Sequence, residues 1–216
     1  MNTSPSLVQE RMLWSQGLST VVGVDEVGRG AWAGPIVSAA VILSPESSEF
    51  DALDSSLIQL PKLLRDSKKL SPIQRQEVAS QLASIVAYSS IGQVEVEEIN
   101  DIGIGRANIL AMQRAIKNLP VKVDHILVDG FPISELEPEK QTAIVKGDAT
   151  VASIAAASVV AKVHRDTLME ELAHAYPEYG FAQHKGYGTK THQQSIQQLG
   201  LCPIHRTNYR LKFLRK

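Results

Sequence analysis

The apolar positions of the chain fall into short runs rich in β-branched and small residues, the pattern of strands, and longer stretches with helical spacing. The predicted strands are residues 20–27, 36–43, 91–96, 125–128 and 142–145. The first two are separated by residues 28–35, whose glycines and proline predict a glycine-rich connection between them.

Apolar residues three or four positions apart predict helices between and after these strands. One begins at Ser71, a good N-cap residue, and the others cover residues 97–119, 150–176 and 189–199. Because strands come first and then alternate with helices, we predict an α/β domain with a mixed sheet over residues 20–180. An N-terminal extension (1–19) precedes it, and a helical C-terminal segment (181–216) follows it.

The composition is that of a folded protein with one core, since 44% of the 216 residues are hydrophobic and 21% are charged. The longest apolar stretch is too short to cross a bilayer, and the first residues lack the pattern of a secretory signal. The lone Cys202 excludes an intramolecular disulfide and a cysteine-based zinc cluster. We therefore expect a cytoplasmic protein without a membrane partner.

The formal net charge of −1 hides an asymmetry along the chain. Residues 1–139 carry 11 Lys or Arg and 18 Asp or Glu, whereas residues 140–216 carry 11 and 5. This excludes a uniformly basic nucleic-acid-binding protein, but it allows a basic C-terminal part that faces an acidic pocket. On charge alone, two solvated faces of opposite sign are the better interpretation.

Acidic residues stand at the ends of predicted strands or beside glycines. Asp25 and Glu26 come late in the first strand, Asp129 follows the apolar run 126–128, and Asp148 follows a glycine. A carboxylate beside a buried strand is costly unless a cation or hydrogen bonds compensate its charge. Strand ends converge in α/β sheets, so these four carboxylates predict an oxygen-rich site suited to Mg²⁺ or Mn²⁺. Two such ions could clamp a phosphodiester.

Each acidic residue also has a simpler interpretation. Asp-Gly after a strand is commonly a turn, which would account for Asp129, and Asp148 also fits a surface turn. Asp25 and Glu26 point to opposite faces of an ideal strand, so both serve one site only if the strand ends or bends at Glu26. The glycines that follow favour such a bend.

Basic residues and glycines elsewhere could bind a sugar-phosphate chain, although a solvated surface is the simpler interpretation of each group. The candidates are Gly28-Arg29-Gly30, with uncovered amides; Lys68 and Lys69, before a predicted helix; Lys162 and Arg165; Tyr187, among His184, Lys185 and Lys190; and His205-Arg206. Lys162 and Arg165 lie three residues apart on one helix face, so they could contact phosphates together. His205-Arg206 could bind a phosphate or pack the C-terminal tail.

Taken in order, these motifs resemble ribonuclease HII, the type 2 ribonuclease H family. The matching blocks are GVDEVGRG (23–30) with Ala33-Gly34-Pro35, DSKKLS (66–71), Val128-Asp129-Gly130, Lys146-Gly147-Asp148, SIAAASVVAKVHRD (153–166), GYGT (186–189) and His205-Arg206. The resemblance spans residues 20–209, and its first and fifth blocks are the most specific. It implies a ribonuclease H-like fold: a mixed five-stranded sheet flanked by helices, with a small helical C-terminal segment.

The resemblance also implies roles for particular residues. Asp25, Glu26, Asp129 and Asp148 match the family's catalytic carboxylates, which bind two Mg²⁺ or Mn²⁺ ions. Gly28, Arg29 and Gly30 match the motif that reads the 2′-hydroxyl at an RNA–DNA junction, Tyr187 matches the tyrosine that stacks on the neighbouring deoxyribose, and Lys68 lies in the phosphate-contacting block. Residues 20–180 would be the catalytic domain, and residues 181–216 would contribute to substrate binding.

The activity that the resemblance implies is cleavage of the RNA strand of RNA/DNA hybrids. The family also nicks duplex DNA on the 5′ side of a single embedded ribonucleotide, which leaves 3′-hydroxyl and 5′-phosphate ends and starts ribonucleotide excision repair. We therefore expect RNA/DNA hybrids and DNA duplexes with an embedded ribonucleotide as partners of a monomeric enzyme. The residues leave open whether a sliding clamp also binds.

Two other functions fit parts of the pattern. A type 3 ribonuclease H, which prefers longer RNA stretches, shares the fold, but the Gly28-Arg29-Gly30 block argues against it. A nucleic-acid-binding module could use the acidic residues to hold a structural ion. Four carboxylates at the family positions argue against that second alternative.

Overall fold

A computed structural model describes residues 5–43, 77, 80–82, 85–211 and 213. The strands are β1 (Val21–Val27), β2 (Ile36–Leu43), β3 (Val86–Val94), β4 (His125–Asp129) and β5 (Gln141–Ile144). The helices are α1 (Val8–Ser15), α2 (Val96–Lys117), α3 (Ala152–Ala175), α4 (Phe181–His184) and α5 (Lys190–Leu199), with 3₁₀ turns at Pro138–Lys140, Gly147–Ala149 and Pro177–Tyr179. Most of the helix predicted from Ser71 lies outside the described residues.

The strands form one mixed sheet in the order β3-β2-β1-β4-β5. Strands β1, β2 and β3 are antiparallel neighbours, whereas β4 and β5 continue the sheet parallel to β1. The α/β class and the mixed five-stranded sheet are thereby confirmed. β3 begins at Val86, five residues before the predicted start at residue 91. The prediction missed this part of the strand because residues 87–89 are exposed and carry no apolar alternation.

Helices cover both faces of the sheet. The alanine-rich α3 packs against β2 through Ala155, Ala156 and Val159, and α2 packs on the other face through Met112 and Ala115. No helix of the described ranges is long and apolar enough to span a membrane. The two layers leave the C-terminal ends of β1 and β4 at one edge of the sheet, between the two long helices.

Close approach between β1 and α3 depends on Gly23. A Cβ atom at this position would lie 2.2 Å from the carbonyl carbon of Ser153, so only glycine lets the helix backbone reach the strand. This contact sets the depth of α3 next to the strand that carries Asp25 and Glu26.

The N-terminal helix α1 packs against the same region. Leu13 joins a cluster with Val21, Leu127 and Ile154. The carboxylate of the buried Glu10 accepts a hydrogen bond from the Ser153 amide at 2.8 Å. Burial raises the pKa of this carboxyl group. The N-terminal residues therefore help to fix the first turn of α3.

Candidate active site

Two of the predicted carboxylates come from neighbouring parallel strands. Val24 of β1 lies opposite Val128 of β4, and the next residue on each strand is an aspartate, Asp25 or Asp129. The Asp25 side chain is buried, and one of its carboxylate oxygens accepts a hydrogen bond from the Glu26 amide at 2.8 Å. The register of the sheet thus places both aspartates at the same edge.

Asp129 also fixes the segment that carries Asp148. Its Oδ1 accepts a hydrogen bond from the Gly147 amide at 2.7 Å. Asp148 follows in the 3₁₀ turn Gly147–Ala149, which the chain enters through Lys146 in the left-handed conformation, with φ 58°. The third carboxylate is therefore held on a turn attached to the end of β4.

Glu26 stands between two clefts. The strand does not end or bend at Glu26, because Glu26 pairs with Ser38 and β1 continues to Val27; the turn comes at Gly28, with φ 91°. Glu26 nevertheless lines one cleft together with Asp129 and a second cleft together with Tyr187. The alternation along β1 therefore does not remove Glu26 from the edge that carries the aspartates.

The donor set suits a hard divalent cation, because these candidates offer only carboxylate oxygens, which Mg²⁺ and Mn²⁺ prefer. A buried charge such as that of Asp25 is also stabilised by a nearby cation. Among the residues that the structure describes, no three His, Cys, Asp or Glu side chains form a ready-made metal site. The carboxylates share an edge of the sheet, and their role as metal ligands stays a prediction.

The predicted substrate-binding residues meet in a cleft of ≈ 280 Å³, which we name the Tyr187 cleft. Its lining residues are Glu26, Val27, Gly28, Arg29, Gly30, Ser158, Lys162 and Tyr187. Tyr187 forms an antiparallel bridge with Ala31, which attaches it to the β1–β2 loop. Its ring centre lies 5.7 Å from the Lys162 ammonium and 5.4 Å from the Arg165 guanidinium. Lys68 lies outside the described residues.

Two buried arginines donate hydrogen bonds to the backbone of the β1–β2 loop. Arg165 donates to the carbonyl oxygens of Ala33, Pro35 and Lys185 at 3.0, 2.9 and 2.9 Å. Arg206 donates to those of Gly34, Pro35 and Arg29 at 2.9, 3.0 and 3.2 Å, and the Tyr209 hydroxyl also donates to Arg29. Together these bonds join the loop to α3 and to the C-terminal segment.

The burial of these arginines excludes the suggested phosphate contact of Arg165 and decides between the two alternatives left open for Arg206. Arg165 is fully buried, so it cannot contact phosphates together with Lys162, which itself pairs with Asp166 at 2.7 Å. Arg206 is equally buried and packs the C-terminal tail instead of binding a phosphate. Burial lowers the pKa of Arg165 to about 10, so the group stays charged at neutral pH and its donors face carbonyl oxygens.

Behind Tyr187 lies a cluster of three buried histidines. His192 places Nδ1 3.0 Å from the Tyr187 carbonyl oxygen and Nε2 3.0 Å from Nε2 of His205. The ring of His184 stacks on that of His192 with centroids 4.3 Å apart. Burial lowers the pKa of all three rings, that of His192 to about 4. The cluster is therefore neutral near pH 7 and supports the loop that carries Tyr187.

The second cleft, of ≈ 470 Å³, lies on the α2 side of Glu26, and we name it the Phe131 cleft. Its lining residues are Glu26, Arg29, Gly105, Arg106, Asn108, Ile109, Met112, Asp129, Gly130, Phe131, Pro132 and Ile133. Phe131 is 76% exposed. The sequence motifs assigned no role to this side of the carboxylates.

Comparisons with known proteins agree with this architecture. The family model described as Ribonuclease HII matches residues 22–216. The Ribonuclease HII of Synechococcus sp. (strain JA-3-3Ab) is 48% identical over 205 residues, which cover 95% of this chain and 88% of that relative.

Among solved structures, the ribonuclease H2 from Pyrococcus horikoshii OT3 is similar with a TM-score of 0.69 and 27% identity, covering 88% of this chain and 93% of that chain. The structure of Bst-RNase HIII in complex with Mn²⁺ shares the fold, with a TM-score of 0.58 and 19% identity over 85% of this chain and 63% of that chain. Sequence and fold agree, and the chain belongs to the ribonuclease HII family of metal-dependent endonucleases, hydrolases that act on RNA/DNA hybrids.

Proposed function

We propose that the protein nicks duplex DNA on the 5′ side of a single embedded ribonucleotide, besides cleaving the RNA strand of hybrids, and so starts ribonucleotide excision repair. One observation carries the proposal: the Gly28–Gly30 backbone and Tyr187 share a cleft with the carboxylate of Glu26. Only the 2′-hydroxyl distinguishes one ribonucleotide from its deoxy neighbours. The groups suited to recognise it therefore lie beside the groups suited to cleavage.

In this proposal Asp25, Glu26, Asp129 and Asp148 hold two divalent cations, Mg²⁺ or Mn²⁺. Bound there, such cations would supply an activated water and charge stabilisation for the leaving 3′-oxygen. The protein's own contribution is the common edge of β1 and β4, together with the Asp129–Gly147 hydrogen bond that holds the turn of Asp148.

Recognition in this proposal uses backbone as well as side chains. Arg29 and Gly30 are exposed, so their amides are open to a sugar-phosphate chain at close range. The Tyr187 ring, held by its bridge to Ala31, offers a flat face to the deoxyribose that follows the ribonucleotide. A deoxyribonucleotide in the same position would leave the recognising polar group without its partner, which costs binding free energy.

Different parts of the chain have different roles in this proposal. Residues 20–180 form the catalytic domain, and residues 181–216 form a segment that contributes Tyr187 to substrate binding. The proposal takes the protein to act as a monomer in the cytoplasm. Lys68 would contact a phosphate, an assignment that rests on its motif.

The test uses labelled DNA duplexes with one ribonucleotide, with none, and with a continuous RNA strand, each incubated with Mg²⁺, Mn²⁺ or EDTA. A single nick 5′ of the ribonucleotide, absent with EDTA and on all-DNA, is the expected result. Cleavage of the continuous hybrid alone would contradict the junction-reading function. Absence of all cleavage by folded protein would favour a binding module.

The variant Asp129→Asn tests the carboxylates in the same assay. We expect cleavage to fall by about 100-fold or more, because the side chain loses the charge that attracts a divalent cation. An amide oxygen can still accept the Gly147 hydrogen bond, so the melting temperature should stay near that of the wild type. Wild-type activity of this variant at ordinary metal concentrations would contradict the assignment.

A further inference from the structure

The Phe131 cleft has no role in the recognition described above, although it shares Glu26 and Arg29 with the Tyr187 cleft. One of its walls is the part of α2 from Gly105 to Met112, and the other is the loop that follows β4. Asp129 stands at its end. A strand of nucleic acid that crosses the carboxylates would therefore have this cleft on one side and the Tyr187 cleft on the other.

Phe131 is the first feature that points to a ligand. Gly130 adopts φ 78°, and the aromatic side chain that follows it is 76% exposed. Among the described residues Phe131 has no aromatic partner, and its exposure leaves most of the ring open to a ligand. Exposed aromatic rings beside cationic side chains are a common feature of surfaces that bind nucleic-acid strands.

Arg106 is the second feature, and it supplies charge. Gly103, with φ 79°, interrupts α2, so Arg106 stands in the first turn of the helical segment that follows. Helix N-termini favour anions. Within the part of the chain that the structure describes, Arg106 forms no ion pair, whereas the Arg29 guanidinium in the same cleft lies 3.9 Å from Glu26. A phosphate is the anion that complements an exposed guanidinium beside an aromatic ring.

The direction of the cut decides which nucleotides reach this cleft. If the ribonucleotide and its 3′ neighbour occupy the Tyr187 cleft, the scissile phosphate on the 5′ side lies at the carboxylates. The strand on the 5′ side of that phosphate then continues past Glu26 to Asp129 and Phe131. This step rests on the proposed function.

We propose that the Phe131 cleft binds the strand on the 5′ side of the scissile phosphate, from the second nucleotide onward, with Phe131 against a sugar and Arg106 on a phosphate. The contacts lack base-edge specificity, so they add affinity for any sequence. The cleft would hold the product end that carries the new 3′-hydroxyl.

The experiment compares two single-ribonucleotide duplexes, one with a long 5′ arm and one with a single nucleotide 5′ of the ribonucleotide. We expect Phe131→Ala to lower kcat/KM on the long arm by about 10-fold, mainly through KM, because the apolar contact between the ring and a sugar of the strand is lost. On the short arm the variant should match the wild type. Arg106→Gln should reduce the salt slope of binding to the long arm by about one.

Tyr88→Ala and Lys117→Gln are the matched controls, since both side chains are exposed and neither lines the clefts. They should behave as the wild type on both arms. An equal loss on both arms for Phe131→Ala, or no loss, would overturn the inference. Binding of both duplexes in EDTA, followed by fluorescence anisotropy, separates this result from the proposed function: the arm dependence is measured there even if no nick forms.

Discussion

The two clefts beside Glu26 present different kinds of chemical groups. The Tyr187 cleft presents backbone groups of a loop that two buried arginines hold by their carbonyl oxygens, whereas the Phe131 cleft presents exposed side chains of a helix and a loop. Recognition of one hydroxyl group needs donors fixed to a fraction of an ångström, and general contact with a strand needs only charge and a flat ring. The difference fits the two proposals, in which the Tyr187 cleft selects the ribonucleotide and the Phe131 cleft binds the strand without selectivity.

The largest expected difference between the two clefts comes from replacing one arginine of each by methionine. Arg165→Met removes a donor from three buried carbonyl oxygens and leaves those of Ala33 and Lys185 without it, while that of Pro35 keeps its bond from Arg206, so the free energy of unfolding should fall by about 3–5 kcal/mol. Arg106→Met, on the exposed side, should change it by less than about 0.5 kcal/mol. Urea denaturation of both variants makes the measurement. Equal, small effects would show that the two clefts do not differ in rigidity.

A smaller effect is expected from a methyl group added to the loop itself. A Cβ at residue 28 would lie 2.2 Å from Nε of Arg165, and its φ of 91° disfavours any residue but glycine. Gly28→Ala should therefore lower the free energy of unfolding by about 1–3 kcal/mol and weaken the preference for a single ribonucleotide.

Gly30→Ala is the control for this strain, since an added Cβ there meets nothing within 4 Å. Its melting temperature should match that of the wild type. If Gly28→Ala were as stable as Gly30→Ala, the packing of Arg165 under the loop would not limit residue 28.

The third effect is a dependence of stability on pH. His192 has a folded-state pKa of about 4 against an ordinary value of 6.5, so the unfolded chain takes up a proton in this interval that the folded protein does not. The contribution of His192 to the free energy of unfolding should be constant above about pH 6.5 and should fall by about 3 kcal/mol as the pH decreases to about 4. His192 contacts the carbonyl oxygen of Tyr187, whereas no histidine lines the Phe131 cleft, so protonation should loosen the Tyr187 cleft first.

His192→Asn sharpens this measurement, because its amide can still donate to the Tyr187 carbonyl oxygen but does not titrate. Melting curves between pH 7 and 4 should show a shallower loss for the variant. The same slope in both proteins would assign the acid sensitivity to other groups.

Much of the fold could be predicted from the sequence. Strand β2 agrees to the residue, since all eight of its residues are buried and the run of apolar residues has sharp ends. Strand β3 was predicted too short because its exposed first half carries no apolar pattern. The motif blocks led to the family, which the comparisons confirmed.

The site was harder to predict because the sequence does not show whether a charged side chain is buried or exposed. The three-residue spacing of Lys162 and Arg165 placed both on one helix face, yet only Arg165 is buried. Its spacing of four residues from the buried Ala161 and Met169 was the available indication that it faces inward. Phe131 gave no indication, since an aromatic residue after Asp-Gly suggests only a turn.

The arginine brace also sets an order of assembly. Arg206 reaches back 171 residues to Pro35, whereas the strands that carry Asp25 and Asp129, and the turn that carries Asp148, are complete before residue 150. During synthesis the carboxylate edge can therefore form while the loop between β1 and β2 still lacks the donors of both Arg165 and Arg206. We expect the nascent chain to form its sheet early and to gain its selectivity only after Arg206 has been synthesised.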